Sequence, residues 1–290
     1  MFGILNLYKP SGCTSRDVVN RVQRLVRPVK VGHAGTLDPL ATGVLVVCLG
    51  PATRLVEHVQ RMEKRYRATF LLGRTSQTED VEGEVTLLEG AAEPTLGEIE
   101  AMLPQFVGQI QQRPPAFSAV KLQGKRAYKL ARKGQEVEVR PRTVQIFQLS
   151  VESYAYPELV LGVRCGSGTY VRSLGRDIAE ALGTGAVMSA LERTAIGVYR
   201  AEDALHRDEV NAETLRTRLL PSQSALPEMP HLQLTEAEVV ELQNGRFVDL
   251  PVNTPTGEHA AIGPAGVLTA LAVHRGDGVL RPVRVFPQPD

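Results

Sequence analysis

Charge of one sign is what this sequence has little of. Its 33 lysines and arginines face 32 aspartates and glutamates, for a formal net charge of +1. That argues against a histone-like binder that coats nucleic acid by bulk charge, and leaves room only for a local basic patch. Cysteine is scarce as well: Cys13, Cys48 and Cys165 are odd in number, far apart, and without a Cys-x-x-Cys. A disulfide framework or zinc knuckle is therefore not expected, and a reducing cytoplasm fits best. The six histidines are scattered, none at metal-ligand spacing, so no metal is expected. The longest apolar run, Val44–Leu49, is far too short to span a bilayer, so no membrane partner is expected. The start, MFGILNLYKPSG, lacks the basic region, long apolar core and cleavage site of a signal peptide. Neither a nucleotide-phosphate loop nor a glycine-rich cofactor fingerprint occurs, so no cofactor is expected.

What is present suits a soluble globular chain. With 290 residues, 43% hydrophobic and 22% charged, it can bury a core without staples and form one large domain plus a small one. Residues 4–8 read as a strand. Thr14-x-x-Asp17 resembles a capping box, followed by Val18, Val19, Val22, Leu25 and Val26 at helical spacing. GHAGTLDPLATG is a loop, VLVVCLG a buried strand and YRATFLLG another strand, with TSQTEDVEGE loop-like after it. Residues 95–106 look helical. TVQIFQLSVESY and ELVLGVRCG read as antiparallel strands. In TYVRSLGRDIAEALG, Val171, Leu174, Ile178 and Leu182 share a helical face that ends at Gly183. Three prolines in residues 221–230 suggest a linker. Beyond it, Thr235-x-x-Glu238 caps a short helix, and HAAIG, VLTALAVHR and PVRVF suggest a small β-rich domain.

The segment His33-Ala-Gly-Thr-Leu-Asp38-Pro-Leu-Ala-Thr-Gly43 places a carboxylate on a glycine-flanked loop just before a buried strand, where it is both held and approachable. An Asp-Pro pair alone would be only a turn. GHAGTLDPLATGVL, however, resembles the signature of the bacterial TruB family of tRNA pseudouridine synthases. Four further segments resemble that family in the expected order: LYKPSGCTS, KRYRATFLLG, RPPAFSAVKLQGKRAYKLARKG and SGTYVRSLGRDIAEALG. Together the five cover most of residues 4–195.

The resemblance implies an isomerase that breaks the N1–C1′ bond of a uridine, rotates the base and joins C5 to C1′. It assigns the nucleophile to Asp38, by covalent catalysis like that of glycosidases, and leaves open attack at C1′, action on the base and removal of a glycal-forming proton. It implies that Arg172, from the GTYxR motif, pairs with Asp38, since a cation within reach favours an ionised carboxylate. Asp80 matches an acid that holds this arginine, although Gln77 stands where the family more often has Asp. Tyr66 and Tyr170 match residues that contact the flipped uridine, and Tyr66 is also a candidate acceptor of the C5 proton. His33 matches the residue that fills the vacated space in the RNA loop. Leu191 matches an apolar wall contact, although LERT departs from the commoner Leu-Arg-Arg.

The implied fold is mixed α/β (α+β), a pseudouridine synthase domain over 1–222 with a central, largely antiparallel sheet. A small C-terminal β-rich, PUA-like RNA-binding domain over 231–290 would follow. Residues 113–142 carry nine Lys or Arg against two acids, with Phe117 and Tyr128 interleaved, and read as a phosphate-binding patch. The implied partner is the T-arm loop of tRNA around uridine 55, met by a monomer that needs no other protein. A tRNA-folding chaperone role is compatible with this. A non-catalytic RNA-binding module and a guide-RNA-dependent relative are the rivals. A glycosidase would need a second catalytic carboxylate, and none stands out near Asp38.

Overall fold

The computed structural model describes residues 1–115 and 140–287, and between them the backbone of two short paired strands, Lys121–Leu122 and Lys125–Arg126. Most of the basic stretch 113–142, including Phe117 and Tyr128, lies outside the described residues. Among the described residues no helix is long and apolar enough to cross a membrane.

A ten-stranded sheet forms the main body. Its principal order is Leu205–His206, Gly3–Lys9, Thr42–Leu49, Ala186–Ile196, Lys64–Leu72, Glu158–Cys165, Arg142–Ala155, Gly108–Gln112. Leu205–His206 runs parallel to Gly3–Lys9, and Ala186–Ile196 parallel to Thr42–Leu49; the other pairings are antiparallel. The sheet is mixed α/β in its setting, with helices packed on it as the sequence led us to expect. Thr14 and Asp17 do form a capping box at the start of the helix Ser15–Val26, which buries Val18, Val19, Val22 and Val26. Leu25, grouped with them by spacing, stays exposed. The helix Val171–Ala181 lies flush on the sheet at Gly175, where a Cβ would come within 2.0 Å of the Phe70 ring.

Two features were not legible beforehand. The loop-like TSQTEDVEGE, residues 75–84, overlaps the short strand Arg74–Ser76, which pairs with Val85–Leu87 just beyond its end as a short hairpin. The strand Ala186–Ile196 sits in mid-sheet between Thr42–Leu49 and Lys64–Leu72. Its burial has no clean alternation and its register shifts at Met188/Ala190 and Arg193/Ala195, so no period-two pattern announces it.

The C-terminal sheet has five strands in the order His231–Gln233, Gly257–Ile262, Leu268–His274, Val279–Val285, Val248–Asp249, with the capped helix Glu236–Gln243 against it. The proline-rich stretch before it is packed rather than loose. Ala225 and Leu226 are buried in a cluster that joins Ile4, Val44 and Leu55 to Ile262, Leu268 and Phe286. Phe2 stacks on Phe286 with ring centroids 5.6 Å apart, and Arg54 Nη1 donates to the Val285 carbonyl at 3.0 Å. The two sheets thus share one apolar cluster, besides the clusters each has of its own.

Candidate active site

Asp38 lies between two residues whose backbones are tied to the N-terminal motif. On one side, Ser15 Oγ accepts from the Leu37 amide at 2.8 Å and donates to the Leu37 carbonyl at 3.1 Å. On the other, the Pro39 carbonyl accepts from the Gly12 amide at 3.0 Å and from Lys9 Nζ at 3.2 Å. Lys9 is fully buried and also donates to the carbonyls of Pro10 and Cys13, each at 2.8 Å; burial pushes its pKa down. The loop re-enters the sheet at Gly43, whose φ of +100° and close approach to the Arg193 backbone, 2.3 Å for a built Cβ, admit only glycine. The carboxylate therefore stands on a clamped loop and is itself 39% exposed.

The helix Val171–Ala181 brings up the cation. Arg172 Nη2 lies 3.1 Å from Asp38 Oδ2, and its Nη1 lies 3.1 Å from Asp80 Oδ2 and donates to the Thr78 carbonyl at 2.7 Å. Asp80 is in turn held by Thr78 Oγ1 at 2.6 Å and the Glu82 amide at 3.1 Å, and its stretch bridges to Met188 of the central strand. The same helix grips this loop twice more. Ser173 Oγ donates to Glu79 Oε2 at 2.7 Å, and Arg176 pairs with Glu79. Glu79 adopts φ +62°, a conformation costly for a non-glycine residue and sustained here by those contacts.

Asp38 and Arg172 open into a cleft of about 290 Å³ that is also lined by Tyr66, Tyr170 and Leu191. Tyr66 comes from the strand Lys64–Leu72; burial raises its phenol pKa. Tyr170 is anchored by its backbone, which exchanges hydrogen bonds with the Gln112 side chain at 2.8 and 2.9 Å, while Arg142 covers its ring at 4.7 Å. Leu191 is buried in the cleft wall. Asp80 stands behind Arg172, outside the lining. His33 is also outside it, at the end of the strand Val31–His33, with its Nδ1 buried and unpartnered among the described residues.

Sequence reasoning did not single out Lys9, Ser15, Lys64 or Arg193. The first three sit inside motifs already noticed, LYKPSGCTS and KRYRATFLLG, but nothing in one dimension says which side chains turn inward. Arg193 is 2% exposed, donates from Nε to the Val44 carbonyl at 2.8 Å and from Nη2 to the Gly35 carbonyl at 3.1 Å, and stands opposite Tyr66 in the strand register. Lys64 donates to the carbonyls of Gln60 and Met62, and burial lowers its pKa to about 8.

An ion-paired, half-exposed carboxylate on the floor of an aromatic cleft suits covalent chemistry on a flat ring, and the fold carrying it is that of the pseudouridine synthases. A solved Cbf5-Nop10-Gar1 complex contains a chain that is 27% identical, with a TM-score of 0.72 over 99% of this chain and 84% of that one. The profile of the TruB family pseudouridylate synthase N-terminal domain matches residues 23–171. Profiles described as the tRNA pseudouridylate synthase B C-terminal domain and the tRNA pseudouridine synthase II C terminus match 172–227 and 229–287. Relatives named tRNA pseudouridine synthase B are 41% identical in Arthrobacter sp. (strain FB24) and 41% identical in Caulobacter vibrioides; each match covers 98% of this chain and 96% of the relative. This chain belongs to the TruB family of pseudouridylate synthases, and is therefore an isomerase.

Proposed function

We propose that this protein isomerises uridine 55 in the T arm of tRNA to pseudouridine, with Asp38 as the nucleophile. Tyr66 and Tyr170 hold the extruded uracil, Leu191 closes the wall, and His33 stands outside the cleft to fill the gap left in the RNA loop. The observation that carries this reading is the bridge of Arg172 between Asp38 and Asp80 at the cleft floor. It holds the carboxylate at the edge of the space where a flat base fits. The names of the relatives supply the tRNA.

The catalytic work belongs to residues 1–222, and residues 231–290 add RNA affinity as a PUA-like module. The chain acts as a monomer in the cytoplasm, without cofactor or protein partner. Purified protein incubated with an unmodified tRNA transcript alone should form pseudouridine at one position of the T loop. Conversion only after addition of a guide RNA and other proteins would favour the guide-dependent relative, and no conversion under either condition would favour a binding module.

A further inference from the structure

The cations of the cleft are not balanced alike. Arg172 faces two aspartates. Arg193 and Lys64, 2% and 8% exposed, have no carboxylate within ion-pair distance among the described residues, and their hydrogen bonds there go to backbone carbonyls. Burying a cation without a counter-charge is costly. Both line the cleft with Tyr66, so the surplus charge faces the space where substrate sits.

We propose that Arg193, supported by Lys64, is a catalytic residue that stabilises the uracil ring while the ring carries negative charge. The inference rests on the proposed isomerisation. In that reaction the N1–C1′ bond breaks with its electron pair moving to N1, and the Asp38 carboxylate takes C1′. Uracil is then an anion whose charge is shared among N1, O2 and O4. The ring turns and an electron pair from C5 forms the new bond to C1′, displacing the carboxylate with its own pair. The C5 proton then passes to a base and N1, left bare when its bond to C1′ broke, takes a proton from solvent, so the product is neutral. A backbone phosphate is a poorer occupant of this floor, because it remains attached to the outer strand while the flat base reaches inward. Preorganised donors aimed at developing charge in a site shielded from water are among the largest contributions to catalysis.

The test compares wild type, Arg193→Met, Arg193→Lys and Lys64→Met on two T-arm RNAs, one with uridine at the target and one with 5-fluorouridine. Fluorine withdraws electrons and stabilises the departing anion by itself. Single-turnover loss of the N-glycoside at saturating RNA and the Kd are measured, with thermal unfolding as a check on folding. Arg193→Met is expected to slow the uridine substrate by about 100-fold, with Kd little changed and a several-fold smaller deficit on 5-fluorouridine. Arg193→Lys should fall between, and Lys64→Met should show a smaller deficit of the same substrate dependence. Equal deficits on both RNAs, in whichever variants fold, would make Arg193 a clamp for the Gly35 and Val44 carbonyls and overturn the proposal, as would an unimpaired Arg193→Met. If wild type converts neither RNA, it is the isomerase reading that has failed, and the proposal falls with it.

Discussion

Arg172 Nη2 stands 3.1 Å from Asp38 Oδ2, yet the two side chains differ in burial, 7% exposed for the arginine and 39% for the aspartate. The cation is held from behind, by Asp80 and the Thr78 carbonyl, while its Nη2 meets an accessible carboxylate. Arg172→Lys keeps the charge and loses the planar fork that spans the two aspartates. Single-turnover rates should fall steeply with tRNA affinity near normal. Asp80→Asn should lower the rate less, because the Thr78 carbonyl still holds the guanidinium. Rates equal to wild type for both variants in a rapid-quench assay would contradict the bridge.

Asp38→Asn preserves size and hydrogen bonding but removes the nucleophilic charge. Its expected outcome is no detectable pseudouridine by nucleoside chromatography, with filter-binding affinity for tRNA unchanged within error. Turnover by this variant would remove the carboxylate from the mechanism.

Tyr66 separates stacking from proton transfer. Tyr66→Phe keeps the ring, and Tyr66→Leu removes ring and hydroxyl together. If the residue only stacks, the Phe variant should work nearly as well as wild type, and the Leu variant should lose about 1–3 kcal/mol of base contact. If the hydroxyl also receives the C5 proton, directly or with Arg193, the Phe variant should bind RNA but turn over slowly. A fully active Leu variant would contradict both roles.

The pH dependence points to Lys64. Burial lowers its pKa from 10.5 to about 8, while burial raises that of Tyr66. If the lysine must be charged, the single-turnover rate should decline as pH rises through about 8, and Lys64→Met should lack that limb. Stability has the opposite sense. Between the folded and unfolded pKa values the unfolded chain binds more protons, so this residue's contribution to stability rises with pH in that window. The gain is on the order of 3 kcal/mol at most. Urea titrations at pH 7 and pH 10 should therefore show wild type gaining relative to Lys64→Met. Parallel curves would place the lysine's pKa near its ordinary value.

The shared core changes what deletion of residues 231–290 should do. It would uncover Phe2, which stacks on Phe286, and remove Ala260, Ile262, Leu268, Leu271 and Phe286 from the cluster that also holds Val44 and Leu55. Exposure of a fully buried apolar side chain costs roughly 1.5–3 kcal/mol, so the truncated chain should unfold at a markedly lower temperature. A cleaner probe of RNA binding is Arg275→Gln. Arg246 and Arg281 are paired with Glu241 and Asp277, and Arg284 donates to the Arg54 carbonyl, whereas Arg275 is exposed with no ion pair among the described residues. If it meets a phosphate, the slope of log Kd against log salt should lessen by about 1 with kcat unchanged. An unaltered slope would remove this arginine from the RNA surface.

Local chemistry is what the sequence determined. The capping boxes at Thr14 and Thr235, the apolar faces of the helices starting at Ser15 and Val171, and the buried apolar strand at Val44–Leu49 all follow from short-range rules, and the structure contains them. The Asp38 loop, Arg172 and the two tyrosines were legible because each lies in a short motif. Tertiary structure decided the rest. Arg193 acquires its place only because an irregular strand inserts in mid-sheet beside Tyr66, and Lys9 and Ser15 become clamps only when the first strand and helix lie against the Asp38 loop. Likewise the proline-rich stretch became part of a core because apolar residues from both ends of the chain meet there. These relationships join residues tens to hundreds of positions apart, and side-chain direction and burial at such separations are settled by packing, which no local pattern encodes.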